Sequence, residues 1–190
     1  VLEFIPGRTF TAADARNPRN LERIVDLLKR CHRGIPEYLR GPGAMFWVFH
    51  VVRDYAHTLN ADNSRHRSRL LQLLGTAARL EKALGPVDIV FGHNDLLPTN
   101  FIDDGERLWL VDWEYAGFNS PLFDLAGLAS NNEFPADLSL RLLESYYGRV
   151  VDRELKRRFA AMNAASLLRE TMWSMVSEIH SKLDFDYVAY

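Results

Sequence analysis

One short segment limits the fold more than any other: FIDDGERLWLVDW, residues 101–113. Aromatic, β-branched and leucine residues flank Asp104-Gly105, and Leu108 and Leu110 alternate with Trp109 and Val111, the pattern of a tight β-hairpin. A shorter run of the same character, VDIVF (87–91), precedes it. So small a ribbon is not stable in water by itself and needs other elements to cover it. The rest of the chain supplies them.

TAAD from Thr11 reads as a capping box, and NPRNLERIVDLLKRCHR then puts Leu21, Ile24 or Val25, and Leu28 on one helical face. Gly34, Pro36, Gly41, Pro42 and Gly43 predict an irregular stretch. AMFWVFHVVRDYAHTL is a buried element whose type the pattern leaves open. Ser64 to Leu84 repeats leucine and alanine at helical intervals and stops at Gly85-Pro86. Helices are expected again around Phe123–Ser130, Asp137–Gly148 and, as one or a pair, Asp152–Lys182. No internal repeat or long linker breaks the chain. The expected class is α+β, one helical domain carrying a small sheet.

With 190 residues and 47% hydrophobic content the chain has the material for a packed core. Twenty-three basic residues against 25 acidic ones give a net charge of −2, which offers no field for nucleic acid. Arg65, Arg67 and Arg69 read as a solvated first helical turn. Cys31 is the only cysteine, so an internal disulfide and a thiolate metal cluster are excluded. No run reaches roughly 18 apolar residues and the start has no signal-peptide pattern, so a cytoplasmic protein without a membrane partner is expected. VLEF reads as the end of a strand entered midway, with IPG as its exit turn.

The chemistry concentrates in FGHNDLLPTNF (91–101) and LVDWEYAGFN (110–119). Asp95 follows the first strand, Asn100 immediately precedes the hairpin, and Asp112 ends its second strand. The hairpin turn brings Asn100 and Asp112 to one open end, within reach of Asp95. Two carboxylates and an amide oxygen are a hard-oxygen set suited to Mg²⁺, and clustered anions favour a cation between them. Phosphoryl transfer requires such a set: a metal aspartate (Asp112), an asparagine beside it (Asn100) and a base for the accepting hydroxyl (Asp95). Turn preference alone would also put Asp and Asn at such positions. His93 could serve as base or zinc ligand, but a zinc site takes about four ligands and the other histidines form no such motif, so it is expected to hold the loop by hydrogen bonds.

HNDLLPTN resembles the H-x-D-x-x-x-x-N loop of the aminoglycoside phosphotransferase and choline/ethanolamine kinase superfamily. VDWEYAGFNSPLFDLA and the closing WSMVSEIHSKLDFDYVAY are similar to choline/ethanolamine kinases in particular, and the likeness runs from EFIPGRTF onward. The resemblance implies a protein-kinase-like C-terminal lobe, with residues 1–10 a hinge-like segment and 11–190 the helical catalytic lobe. It implies ATP as co-substrate, Mg²⁺ on Asn100 and Asp112, and Asp95 as base, with His93 and Asp124 supporting the loop. Glu3, Phe4 and Ile5 would be hinge residues near the adenine. Tyr115, Trp173, Phe185 and Tyr190 would surround a small amino alcohol, whose quaternary ammonium is best met by ring faces.

The sequence departs from the eukaryotic choline kinase pattern at Glu170, where a second tryptophan is usual, at Leu97, where glutamine is, and at Asn131-Asn132, where a glutamate-tryptophan pair is. These departures suit a bacterial member. The phosphate-covering loop and lysine of an N-terminal lobe have no counterpart in the sequence, so the isolated chain is expected to be inactive. Two other readings follow from the same residues: an aminoglycoside or other small-hydroxyl kinase, and a kinase-like binding module without activity.

Overall fold

The computed structural model describes residues 4–187, which run β1 (Arg8–Thr9), α1 (Ala12–Ala15), α2 (Pro18–Tyr38), α3 (Val48–Ala61), α4 (Leu70–Leu84), β2 (Val90–Gly92), β3 (Phe101–Asp103), β4 (Leu108–Leu110), β5 (Gly117–Asn119), α5 (Pro121–Asn131), α6 (Ala136–Tyr147) and α7 (Arg153–His180). Four of these helices start on the side-chain chemistry written at their N-termini. Thr11 and Asp14 close the expected capping box on α1, and Asn17, Ser120 and Asp152 accept from the first turns of α2, α5 and α7. Each such cap contributes about 1 kcal/mol by satisfying a backbone N–H that the helix leaves without a partner.

The sequence predicts disruption from Gly34, yet α2 continues through Gly34 and Pro36 to Tyr38. Its buried stripe continues through Leu28, Cys31 and His32, Gly34 to Pro36 remain half-buried, and Pro36 forfeits a helical bond only in the last turn. The element of open type is helical, α3, with Phe49 and Val52 in the core. The expected final helix is single and unbroken. Phe4 and Ile5 have no regular structure, and a strand, β1, follows the IPG segment; the rest of the strand read in VLEF, residues 1–3, lies outside the described residues.

One hairpin was expected, but two small sheets form. β1, β3 and β4 make an antiparallel sheet in that order, with Phe101 opposite Leu110 and Asp103 opposite Leu108. β2 pairs antiparallel with β5, Gly92 opposite Gly117. GFN is too short to declare itself a strand, and its pairing depends on a partner 25 residues away. A Cβ on Gly117 would fall 2.8 Å from the Ala44 carbonyl oxygen, so glycine is needed for this close approach.

α5 is apolar almost all round and is buried from Pro121 to Ala129. It packs against α7 on one side and against β2 and α6 on others, while α3 and α4 cover the remaining flank of α7. The N-terminus of this central helix therefore lies directly behind the loop that leaves β2.

Candidate functional site

Asp124, in the first turn of α5, organises that loop from behind. Its carboxylate accepts from the His93 N–H at 2.8 Å, the Asn94 N–H at 2.7 Å and His32 Nε2 at 2.9 Å. Burial would push its carboxyl up, but the hydrogen bonds from the His32 ring and the His93 backbone hold it below the usual carboxylate range. His32 in turn contacts the Tyr146 hydroxyl at 2.7 Å, so α2, α6 and α5 are tied together behind the loop. A Cβ on Gly92 would sit 2.9 Å from Asn94 Oδ1 and 3.2 Å from Asp124 Oδ2, which is why the residue leading into the loop is glycine.

His93 is fully buried. Its Nε2 lies 2.9 Å from the Val111 carbonyl oxygen, which can only accept, so the proton is on Nε2. Nδ1 is then the acceptor for the Asp95 N–H at 3.3 Å. Asn94 adopts φ +68°, a conformation asparagine tolerates, and donates through Nδ2 to the carbonyls of Tyr115 (2.9 Å) and Gly117 (3.2 Å). These bonds clamp the loop to the segment between β4 and β5.

The three oxygen-bearing residues predicted to meet are borne by these supports. Asp95 is half-buried. Asn100 is buried and donates through Nδ2 to the Asp95 carbonyl at 2.9 Å, with the Asp95 carboxylate 3.5 Å away, which leaves its Oδ1 as the remaining donor atom for a ligand. The Val111 N–H bonds to the Asn100 carbonyl at 3.0 Å, so Asp112 emerges from the hairpin end beside Asn100. Asp112 is exposed, has φ +63° and makes no hydrogen bond or ion pair among the described residues. Burial pushes the Asp95 carboxyl above its ordinary value; Arg169 pulls it back, while Glu170 and Asp112 push it further. Two carboxylates that repel and a neighbouring amide oxygen are a donor set that fits a hard divalent cation. No three His, Cys, Asp or Glu side chains form a metal-holding group among the described residues, so such an ion would rest on this mixed set and on ligand oxygens.

Next to Asp95 is a wall of rings and charge on α7. Arg169 is buried, pairs with Glu170, and holds its guanidinium carbon 5.1 Å from the Tyr115 ring centre. Burial pushes the Tyr115 hydroxyl above its ordinary value, while Arg169 and, more weakly, Trp173 pull it back, which puts the predicted residues Tyr115 and Trp173 near one another. Trp173 also meets Tyr187 edge-on at 5.8 Å, and Phe185 lies 4.8 Å from Tyr187 but is 52% exposed. Phe4 is exposed and Ile5 half-buried. Glu3 and Tyr190, predicted for the hinge and the amino-alcohol pocket, lie outside the described residues.

Asn94, His32 and Arg169 were not singled out from the sequence. Asn94 stands inside the recognised loop and could have been marked by its buried-loop context. His32 and Arg169 sit in ordinary helical patterns that carry no local signal. Cys31 is buried, which pushes its thiol up to about 11 and leaves it protonated at neutral pH. Arg65 pairs with Glu178 at 2.9 Å, as a surface residue would. No helix among the described residues is long and apolar enough to cross a membrane.

With this geometry in view, comparison with known proteins gives a consistent outcome. The choline/ethanolamine kinase family model matches residues 1–141. The chain is 27% identical to protein LicA of Haemophilus influenzae over 175 residues, 88% of this chain and 64% of that protein. It is 31% identical to ethanolamine kinase 2 of Rattus norvegicus over 167 residues, 77% of this chain and 43% of that protein. A crystal structure of a choline/ethanolamine kinase family protein from Mesorhizobium loti matches with a TM-score of 0.83 at 26% identity, covering 98% of this chain and 64% of that one. The chain thus spans between 43% and 64% of the length of these relatives.

Proposed function

The chain belongs to the choline/ethanolamine kinase family, and from that premise we propose that it carries the acceptor side of an ATP-dependent kinase acting on the hydroxyl of choline, ethanolamine or a similar small amino alcohol. Asp95 is the base in this reading. As the hydroxyl oxygen bonds to the γ-phosphorus and the bond from that phosphorus to the β-phosphate bridging oxygen breaks, the hydroxyl proton passes to the Asp95 carboxylate. The burial that pushes this carboxyl up makes it a stronger proton acceptor than an exposed aspartate.

Asn100 and Asp112 would hold Mg²⁺ beside the ATP phosphates, where it neutralises charge developing on the transferring group. His93, with its proton fixed on Nε2, and Asp124 position the backbone that aims Asp95. Residues 1–10 are read as the hinge near the adenine and 11–190 as the catalytic lobe, in a cytoplasmic, bacterial protein. Tyr115 and Trp173 line the acceptor side.

The single observation that carries the reading is the hairpin register. It brings Asn100 and Asp112 to one end, while the Asn100 amide is bonded to Asp95 itself. The test is phosphoryl transfer from γ-labelled ATP by the full-length protein, with Mg²⁺, to ethanolamine, choline and an aminoglycoside. Transfer to the amino alcohols is expected. Transfer only to the aminoglycoside, or none to any acceptor, would overturn the reading.

A further inference from the structure

The ring face of Tyr115, predicted to receive a substrate cation, is already covered by one from the chain itself. The Arg169 guanidinium carbon lies 5.1 Å from the centre of Tyr115 and 5.8 Å from that of Phe46, and the two rings meet edge-on at 6.0 Å. Arg169 is only 4% exposed. It is held in place by the Glu170 carboxylate, while its Nε is buried without a partner. Beside it a cavity of about 10 Å³, bordered by Asp95, Asn131, Ser166 and Glu170, has room for about one water molecule.

A ring face attracts a cation through its quadrupole, and that attraction is satisfied once a guanidinium rests on it. A second cation brought to the same faces meets a fixed like charge in a partly desolvated place, where repulsion is stronger than in water. A quaternary ammonium depends on ring faces and on through-space attraction to carboxylates, because it donates no hydrogen bond. A primary ammonium has three N–H donors and a smaller head, and this wall offers it amide, hydroxyl and carboxylate oxygens.

We propose that Arg169 is a specificity-determining residue: by occupying the cation seat on Tyr115 and Phe46, it turns the acceptor pocket towards primary amino alcohols and away from quaternary ones. This rests on the kinase reading above and names the substrate class within it. Nothing in the local sequence announces it, since Arg169 is one arginine in a long helix.

The test is steady-state kinetics of the full-length protein with ethanolamine and choline, for the native enzyme, Arg169→Met and Arg169→Lys. The native enzyme should favour ethanolamine in kcat/KM by about tenfold or more. Arg169→Met should narrow that ratio by about tenfold, chiefly through a lower KM for choline, and Arg169→Lys should keep the native preference. Should Arg169→Met fail to fold, Arg169→Gln keeps a polar contact to Glu170 while removing the charge, and should narrow the ratio in the same direction, by a smaller factor. A native enzyme that prefers choline, or a ratio unmoved in the Arg169→Met or the fallback variant, would overturn the inference and leave the kinase reading standing. A native enzyme that phosphorylates neither acceptor would remove the kinase reading and the inference with it.

Discussion

The loop at 92–95 and the stretch 169–187, the end of α7 with the residues after it, border the same site but are held by different means. In the loop, polar atoms meet buried partners: three groups donate to Asp124, both His93 ring nitrogens are engaged, and Asn94 reaches two carbonyls across the sheet. At the end of α7 and just after it, the ring contacts of Trp173, Phe185 and Tyr187 sit among ion pairs and hydrogen bonds of more exposed side chains, and the side chains from Lys182 to Asp186 are exposed. Hydrogen-bond networks with directional partners fix a group to one geometry, whereas ring contacts allow substitution with modest loss. A base must be aimed, while an acceptor's headgroup need only be accommodated. In the function proposed above, the comparison teaches that reaction type would be built into the stiff region and acceptor choice into the tolerant one.

The strongest challenge to this division is Asp112→Ala in the full-length protein. Loss of the exposed carboxylate should lower kcat/KM by about four powers of ten without recovery at high Mg²⁺, measured by phosphoryl transfer at varied metal. A small change would mean that the hairpin end beside the stiff loop does not hold the metal for the reaction. Next in size is Asp124→Ala, which leaves His32 and two backbone N–H groups buried without an acceptor. It should cost about 3–5 kcal/mol in urea unfolding.

On the tolerant side, Trp173→Leu should raise KM for the amino alcohol by about tenfold while kcat and the unfolding midpoint change little. A large fall in kcat would erase the contrast. The smallest effect concerns pH. Burial raises the Asp95 carboxyl in the folded protein above its unfolded value, so the native state binds the proton more tightly and ionised Asp95 costs stability above its folded pKa. Asp95→Asn should therefore melt at a slightly higher temperature than the native protein at neutral pH. That gain should shrink as pH falls towards the unfolded carboxylate range, as thermal unfolding across pH would show.

What the sequence discloses follows the same split between local and distant causes. The capping residues, the hairpin about Asp104-Gly105 and the convergence of Asn100 with Asp112 were legible because each is fixed by residues close in the chain. The continuation of α2 through Pro36 was not, since it depends on a buried face packed against other elements. Nor was β5, whose pairing with β2 brings together segments with the hairpin between them. His32 reaches Asp124 from another helix, and Arg169 covers a ring in a different loop. Their roles come from the meeting of segments, which no periodicity records.

Asp95→Ala in the full-length enzyme tests the account most directly, with turnover measured at saturating ATP, Mg²⁺ and ethanolamine and folding checked by circular dichroism. A loss of about 10³-fold in kcat with the fold intact is the predicted result. Turnover within about tenfold of the native enzyme would contradict the assignment of Asp95 as the base.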